Sequence, residues 1–499
     1  MKTDLESKKH LKVAFWIGAI LFLITAIKSH GYYHADEHYQ LIEFAGTLLG
    51  THQELDLAWE YGAQIRPSIQ IFIAAAFISS SNFLGIEDPY HQALILRLLT
   101  ALLSLLVIRK LVAHLHSFFT SKLLRILFIY GSFLIWFIPY LGVRFSSESW
   151  SGIFFCLGLV SYWTSISKVS IKLACLGFYF SLAFLFRYQI AFAEIAVLIF
   201  WLYKKEISWK GLVYFSVSFL LVLTAGIALD CFYYGEFTLA PWNYFASNIL
   251  ESKAAEFGIS PFTYYLEKLL YFPSLPLGIL LYTSLITQFV IKRNVVIWAF
   301  LVFLIAHSLV GHKEERFLFP LVLLFPFLLF YGYELLLQKT KSVPFRKSIL
   351  SILAICLAFT SLIGLPTLAS VSGGKGHMSL TKYIHDKHEE EVQLIYMNWS
   401  HPYMPFGRMA KFYAVDPIES IHIQHICDLK KEMIDPKKTT YLVLRIYDLE
   451  HEGCSERLEE FGFQQIKSSP PDWANKLNEF YGGYKNYETV LLYEKVETS

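Results

Sequence analysis

Long apolar stretches alternate with short polar connections through the first 369 residues. A membrane-spanning helix needs about 20 mainly apolar residues, because lipid offers no hydrogen-bond partners to the backbone. The first stretch, 11–28, is too long for a signal-peptide core and lacks a small-residue cleavage site, so we interpret it as an anchor. Further apolar stretches lie at 65–84, 93–113, 123–141, 149–166, 171–187, 189–203, 211–230, 274–291, 295–311, 316–337 and 348–368.

Basic residues predict the orientation of these stretches, because cytoplasmic loops carry an excess of Lys and Arg. They precede the first stretch and recur in every second connection from 123 onward: Lys8, Lys9, Lys122, Arg125, Lys168, Lys172, Lys204, Lys205, Lys210, Lys292, Arg293, Lys339, Lys341, Arg346 and Lys347. This alternation predicts a cytoplasmic N-terminus. It predicts external or lumenal positions for loops 29–64, 142–148, 187–189, 231–273 and 311–315 and for the chain after 369.

The orientation at the first loop constrains the number of crossings. Only one of the stretches 65–84 and 93–113 can be a full crossing if loop 29–64 is external and Arg109 is cytoplasmic. We expect 65–84 to be short, re-entrant or interfacial, because it opens with Arg66-Pro67 and ends in polar residues. The pattern therefore predicts about 11 transmembrane helices.

Composition divides the chain near residue 370. Charged residues make up 17% of the whole sequence, whereas soluble domains have about 25%. The charged residues are sparse up to residue 369 and more frequent after it. We therefore predict an all-α polytopic membrane domain over 1–369 and a small soluble α/β domain over 370–499. The net charge of +2 argues against a nucleic-acid partner.

The tail carries strand-like and helix-like segments. Strands are predicted at 392–397, 440–446 and 490–496, and helices at 456–461 and 472–480. The tail has no glycine-rich phosphate loop and no triad spacing, so we interpret it as an acceptor-guiding or structural cap. Cys427 and Cys454 both lie in this tail, where a disulfide is an option.

The first external loop contains His34, Asp36, Glu37 and His38. Adjacent carboxylates at a membrane exit are unusual, because burying an unpaired charge is costly. Three interpretations stay open: a solvated loop, a general base that takes a proton from an acceptor hydroxyl, and a metal site with His34, Asp36 and His38 as ligands. No second cluster has ligand spacing.

A second polar cluster, 312–316, lies between two apolar runs. It is either an interfacial group of snorkelling side chains or a site where His312, Lys313 and Arg316 hold a phosphate leaving group. Arg144 and Arg187 are lone arginines at external helix ends, and either could instead form a structural pair with Glu148 or Glu194. Loop 231–273 is rich in aromatic residues, which suit an interfacial belt or stacking on a sugar.

In order and approximate spacing, these segments resemble glycosyltransferase family 22, the dolichyl-phosphate-mannose-dependent mannosyltransferases. The tail after residue 369 loosely resembles the external domain of the enzymes that add the third mannose of GPI. The similarity covers most of residues 11–340, and 312–320 is its most specific part. The other positions on which the resemblance rests are 34–37, Trp59-Glu60, Ile65-Arg66, 142–148, Asp230 with 232–235, Asn243, Asn248, Phe257-Gly258 and Pro261. Ala35 stands where the family usually has Pro, and Arg187-Tyr-Gln stands in place of a common Arg-Pro-Thr.

The resemblance implies a GT-C fold, with a catalytic carboxylate in the first external loop and a sugar donor linked to a lipid phosphate. Asp36 would then be the base, and Glu37 would orient it or substitute for it. Donor-phosphate binding falls to His312, Lys313, Arg316 and Arg144. Substrate binding falls to His34, Trp59, Glu60, Arg66, Glu148, Arg187, Asp230, Asn243 and Glu315. No cofactor and no metal is expected, because phosphate is a good leaving group.

The sequence thus predicts an inverting glycosyltransferase of a bacterial inner membrane or the endoplasmic reticulum, with its active site and tail on the periplasmic or lumenal side. It would move mannose from a polyprenyl-phosphate donor to a hydroxyl of a glycolipid or glycan. One alternative keeps the fold and changes the sugar to arabinose or an aminosugar. Another is a lipid or sugar transporter, which predicts inverted repeats and polar groups at mid-helix depth. No clear repeat is present, and the polar groups gather at external helix ends instead.

Overall fold

The chain forms two compact units. The computed structural model describes residues 2–164, 168–370, 372–373, 376–387, 391–405, 407–414, 417–451, 455–471, 473–476 and 489–496. The first unit comprises Met1–Ala26, Trp59–Ile73 and Leu96–Pro366. The second unit comprises Ile27–Ala58, Ala74–Ile95 and Thr367–Ser499.

Helices build the first unit. Four of its helices, Lys2–Lys28, Ile69–Phe83, Pro89–Leu115 and Val343–Ser370, also have residues in the second unit. The other α-helices are Trp59–Gly62, Lys122–Leu134, Phe137–Gly142, Ser147–Trp163, Val169–Phe186, Ala191–Tyr203, Trp209–Tyr234, Ala240–Phe245, Tyr264–Tyr271, Leu275–Ile291, Val295–Leu309 and Phe325–Lys339. A 3-10 segment, Glu315–Leu324, leads directly into Phe325–Lys339.

Fewer helices than expected are long enough to cross a membrane. Within the described residues, five segments meet the length and composition required: Leu5–Lys28, Val169–Phe186, Trp209–Tyr234, Glu315–Lys339 and Val343–Pro366. The bent pair Tyr264–Tyr271 and Leu275–Ile291 raises this number to six.

This number is lower than the predicted figure of about 11, because several apolar stretches form short or interrupted helices. Stretch 295–311 contains the 15-residue helix Val295–Leu309. Stretch 123–141 is divided between Lys122–Leu134 and Phe137–Gly142.

A five-stranded sheet forms the centre of the second unit. Its strands are β1 (Val392–Met397), β2 (Ile418–Ile423), β3 (Thr439–Arg445), β4 (Phe463–Ser468) and β5 (Val490–Lys495), in the order β2-β1-β3-β5-β4. β1 is parallel to both β2 and β3, while β5 is antiparallel to β3 and β4. The predicted strands β1, β3 and β5 are confirmed to within one residue at each end.

Sequence analysis did not find β2 and β4, because both strands expose polar side chains and lack a continuous apolar pattern. The predicted helix 456–461 is present as Glu456–Glu460. Of the predicted helix 472–480, residues 473–476 are helical and the rest lies outside the described residues. Cys427 forms a disulfide. Cys454, the partner that the sequence suggested, lies outside the described residues.

The second unit includes much of the first external loop, because that loop supplies part of its core. Tyr32 and Tyr39 of the loop pack in one buried cluster with Tyr90, Met378 and Tyr413. The helices of this unit are Ala35–Tyr39, Ile42–Leu48, His377–Lys387, Ile446–His451 and Glu456–Glu460. The sequence-based boundary at residue 369 therefore differs from the observed units, because loop aromatics complete the tail's hydrophobic core.

Truncating Tyr32 should therefore destabilise the tail. Tyr32 is 3% exposed, and removing a large buried aromatic side chain costs about 3 kcal/mol. We expect Tyr32→Ala to shift the denaturant midpoint for proteolysis of the 376–496 region to lower concentration. Leu55→Ala is the matched control, since Leu55 lies in the same loop and is 92% exposed. An unchanged midpoint for Tyr32→Ala would show that the loop does not contribute to this core.

Candidate functional site

A buried carboxylate, Glu148, organises the polar end of the first unit. The helix Ser147–Trp163 begins after Ser146, whose hydroxyl accepts the Ser149 N–H at 3.2 Å, so Glu148 lies in the first turn. Glu148 is 2% exposed. Its Oε1 forms an ion pair with Arg187 Nη1 at 2.8 Å and accepts a hydrogen bond from Arg316 Nη1 at 3.1 Å. Two guanidinium groups therefore compensate a charge that would be costly to bury alone.

Close backbone contact brings Glu148 and Arg316 together. Gly152 lies one helical turn after Glu148, and Pro320 follows Arg316 by the same number of residues. A Cβ atom at Gly152 would lie 2.4 Å from the carbonyl oxygen of Pro320. Only glycine therefore permits this separation of the two segments, and the charged side chains preceding the contact meet as a result.

His312 is held in a form that donates from both ring nitrogens. Its Nδ1 lies 3.0 Å from the Gly258 carbonyl oxygen and its Nε2 lies 3.0 Å from Glu314 Oε1. Both partners are acceptors, and only the imidazolium can donate to both at once. The hydrogen bond to Glu314 accordingly raises the pKa of His312 above its usual value. Glu314 also pairs with Arg316.

Lys313 fixes the same loop through neutral partners. Its Nζ donates to the carbonyl oxygens of Ser260 at 2.8 Å, Val310 at 2.5 Å and Gly311 at 3.3 Å. These carbonyl groups orient the ammonium without neutralising its charge. His312 (as imidazolium), Lys313, Arg316 and Arg187, set against Glu148 and Glu314, leave a surplus of positive charge at this end of the unit. A surplus of this sign attracts an anion.

An aromatic row connects the end of the first external loop to this cluster. Trp59 stacks on Phe257 with ring centroids 6.2 Å apart and planes at 18°. Phe257 in turn lies 6.2 Å from the His312 ring. Trp59 and the 312–316 cluster, which are far apart in the sequence, are therefore joined through loop 231–273.

Other predicted binding residues hold the chain segment 64–68 in place. Arg66 Nη2 lies 3.5 Å from Glu60 Oε1, and Asn243 Nδ2 donates to the Gln64 carbonyl oxygen at 3.3 Å. Asp230 Oδ1 accepts from both the N–H and the hydroxyl of Ser68, at 2.7 and 2.6 Å. The described contacts of Asp230 and Asn243 are therefore structural.

Arg144 and Glu315 have aromatic neighbours. The guanidinium of Arg144, which is 1% exposed, lies 4.1 Å from the Tyr140 ring centroid. Glu315 accepts from the Tyr264 hydroxyl at 2.9 Å and lies 3.4 Å from Lys268 Nζ.

Arg187 pairs with Glu148, so the structural pairing that the sequence left open for this arginine is present.

The carboxylates of the first external loop lie in the second unit. His34 caps the helix Ala35–Tyr39, because its Nδ1 accepts the Asp36 N–H at 3.3 Å. The side chain of Asp36 is 23% exposed. Glu37 is buried and its Oε2 accepts the Tyr33 N–H at 2.9 Å. Of the two neighbouring carboxylates, Asp36 is thus the more accessible.

Sequence analysis missed a buried carboxylate beside this helix. Glu43 accepts from His38 Nε2 at 2.5 Å, from His52 Nε2 and from the Phe412 N–H at 3.2 Å. Burial raises the pKa of Glu43, but the two imidazoles outweigh it and lower the pKa to about 2. Its position as a lone acid within an apolar run was the available signal.

A metal site was one interpretation of His34, Asp36 and His38. In the structure the Nε2 of His38 instead donates to Glu43. In the described parts of the chain, no group of three or more His, Cys, Asp or Glu side chains is arranged to hold a metal ion.

Comparison with known proteins gives matches in sequence. GPI alpha-1,2-mannosyltransferase 3 of Bos taurus is 24% identical over 320 residues, which cover 62% of this chain and 56% of that protein. GPI mannosyltransferase 3 of Candida albicans is 25% identical over 206 residues, which cover 41% of this chain and 38% of that protein. The matches therefore span little more than half the length of these relatives, or less.

Comparison of structures shows the fold. ArnT from Cupriavidus metallidurans bound to undecaprenyl phosphate matches with a TM-score of 0.56 and 11% identity, over 97% of this chain and 98% of that one. The apo state of ArnT matches with a TM-score of 0.51 and 11% identity, over 97% of each chain. This likeness confirms the GT-C fold with a small C-terminal sheet domain in a multi-pass membrane protein.

The Alg9-like mannosyltransferase family model matches residues 13–401, a range that contains every site residue predicted from the sequence. The chain therefore belongs to the Alg9-like mannosyltransferase family.

Proposed function

We propose that the chain is an inverting membrane glycosyltransferase that transfers mannose from a polyprenyl-phosphate-mannose donor to a hydroxyl of a glycolipid or glycan. The cationic cluster on Glu148 carries the proposal, because it offers an oriented surplus of positive charge to a phosphate. Membership of a mannosyltransferase family and similarity to two GPI mannosyltransferases support the sugar and the acceptor class. The undecaprenyl phosphate bound to ArnT supports the lipid carrier.

The cluster would act on the leaving group. Arg316, Lys313 and His312 bind the donor phosphate, which gains charge as the bond from the anomeric carbon to the phosphate oxygen breaks. Lys313 then exchanges some of its carbonyl partners for phosphate oxygens. Glu148 and Arg187 hold Arg316 in position without themselves needing to touch the donor. Arg144 is a further cation for this phosphate.

Asp36 would act on the acceptor. The acceptor oxygen attacks the anomeric carbon, its proton passes to the Asp36 carboxylate, and the phosphate departs with the bonding electron pair. Direct displacement inverts the anomeric centre. Exposure favours Asp36 as the base, and Glu37 supports it by closing the turn at Tyr33.

The aromatic row offers a surface for the sugar or the acceptor. Trp59 and Phe257 lie beside His312, and flat rings stack on the apolar face of a sugar. Glu60, Arg66 and Glu315 offer polar atoms in the same unit. The loops that carry the cluster alternate with the basic loops, so we propose an external or lumenal active site.

Removing the Asp36 carboxylate charge should abolish transfer. In proteoliposomes with radiolabelled polyprenyl-phosphate-mannose and a glycolipid acceptor, we expect Asp36→Asn to lose at least about 100-fold in kcat, the usual contribution of a general base. Asp56→Asn is the matched control, because Asp56 is a carboxylate of the same loop that pairs with Lys411 at the surface. Wild-type turnover by Asp36→Asn would refute the role of this residue.

The same assay separates the competing functions. Transfer of arabinose or an aminosugar, with none of mannose, would keep the mechanism and change the donor. Movement of the intact donor across the vesicle membrane without transfer would identify a transporter.

Loss of the Arg316 guanidinium should weaken donor binding. A charge-assisted hydrogen bond contributes roughly 1.5–3 kcal/mol, so we expect Arg316→Ala to raise the donor KM by at least about tenfold. Glu148 keeps Arg187 and Glu314 keeps His312 as partners, so the fold should survive. Arg293→Ala serves as the control, since Arg293 is an exposed arginine of a loop predicted to be cytoplasmic. An unchanged donor KM in Arg316→Ala would contradict the phosphate site.

His312 should make donor binding depend on pH. The pKa of His312 is raised, so its positive charge is present below that pKa and is lost as the pH rises through it. We expect the donor KM to rise with pH above the ordinary imidazole range in the wild type. The corresponding rise should disappear in His312→Gln, which retains a neutral donor and has no titration of its own. The same pH profile in both proteins would exclude this histidine from the phosphate site.

A further inference from the structure

The helix that carries Asp36 is too short to be stable without contacts to the rest of the protein. Ala35–Tyr39 has five residues, and helices shorter than about 12 residues are marginal in water. The orientation of the Asp36 carboxylate must therefore come from contacts made by its neighbours. Contacts of His34 and Glu37 fix the start of this helix, and contacts of His38 and Tyr39 fix its end.

His38 is fixed from two sides by aromatic rings. It is 0% exposed and lies between Tyr32, at 5.2 Å and 18°, and Tyr413, at 5.1 Å and 24°. Its Nε2 donates to Glu43 Oε1 at 2.5 Å, so both the plane and the rotation of the ring are defined. His38 lies two residues after Asp36 on the same helix.

Glu43 links this histidine to the tail. Its Oε1 accepts from both His38 and the Phe412 N–H, while its Oε2 accepts from His52. An ionised carboxylate has lone pairs for all three donors. His52 is itself held by Thr51, whose hydroxyl lies 2.8 Å from His52 Nδ1.

The tail segment 408–413 contacts the helix at two points and Glu43 at a third. The Tyr39 hydroxyl donates to the Arg408 carbonyl oxygen at 2.7 Å. The Phe412 N–H reaches Glu43, and the Tyr413 ring covers His38. One short piece of the tail thus holds the C-terminal end of the helix Ala35–Tyr39.

We propose that Glu43 is a positioning residue for Asp36, and that the tail segment 408–413 holds the base-bearing helix through Glu43, His38 and Tyr39. The tail is then a part of the catalytic apparatus that sets the geometry of the base. The catalytic consequence rests on the proposed function, whereas the mechanical one does not.

Two measurements on full-length protein test this proposal. Hydrogen exchange should show faster exchange of the amides at 36–40 in Glu43→Ala, with strands β1 and β3 unchanged. In the transfer assay, Glu43→Ala should lose about 100-fold in kcat, since a displacement of about 1 Å has an effect of that size, while the donor KM stays unchanged. Glu43→Gln keeps the oxygen that accepts from His38 and Phe412, and its amide can donate to His52 Nε2 in the other tautomer, so it should recover most of both properties.

Lys411→Ala is the matched control. Lys411 lies in the same tail segment, but its Nζ pairs with Asp56 at 2.5 Å. We expect wild-type exchange and wild-type kcat from this variant. If Glu43→Ala fails to fold, Tyr39→Phe replaces it, because that change removes one hydrogen bond and keeps the ring. Tyr39→Phe should then show the same faster exchange at 36–40 and a smaller loss of kcat.

The outcomes separate this proposal from the proposed function. Unchanged exchange at 36–40 in Glu43→Ala, or in Tyr39→Phe where that variant replaces it, would overturn the positioning role whatever the activity. Faster exchange with wild-type kcat would also overturn it, because the helix would then not set the geometry of the base. Faster exchange in a protein whose wild type transfers no mannose would instead overturn the proposed function and leave the mechanical link in place.

Discussion

The polar end of the first unit depends on the burial of the Glu148 carboxylate. A carboxylate removed from water costs several kcal/mol unless cations compensate it, and Glu148 obtains this compensation from Arg187 and Arg316. The three groups come from separate helical segments, so the ion cluster is also what ties those segments together at this end. The close contact at Gly152 and Pro320 is the backbone condition for that pairing. Arg316 thereby becomes a fixed cation beside His312 and Lys313.

The second unit also contains a buried carboxylate, and different groups compensate its charge. Glu43 is also buried, and imidazoles and a backbone N–H compensate its charge where Glu148 uses guanidinium groups. In both cases a buried acid fixes a group to which we assign a role in the proposed reaction, Arg316 in one unit and the helix of Asp36 in the other. Fixed charges of this kind need no reorganisation during reaction, which is the usual source of electrostatic catalysis.

The ionisable residues of the candidate site can be identified in the sequence, because such residues are conspicuous in apolar surroundings. Local patterns predict the polar cluster at 312–316 and the strands β1, β3 and β5, whereas they left open whether Arg187 pairs with Glu148 or Glu194. The contact of Glu43 with Phe412 could not be predicted, because it depends on how a loop near residue 40 packs against a segment near 410. The number of long helices was overestimated, because hydropathy does not reveal where a stretch breaks, as at 135–136.

The central claim is that the cations held by Glu148 bind the phosphate of a lipid-linked donor. Cryo-electron microscopy of the protein with a polyprenyl phosphate tests it most directly. The account predicts phosphate density within hydrogen-bonding distance of Arg316 and Lys313, with Glu148 still paired to Arg187. Phosphate density bound elsewhere, with the contacts of Lys313 to the carbonyl groups of Ser260 and Val310 undisturbed, would contradict it.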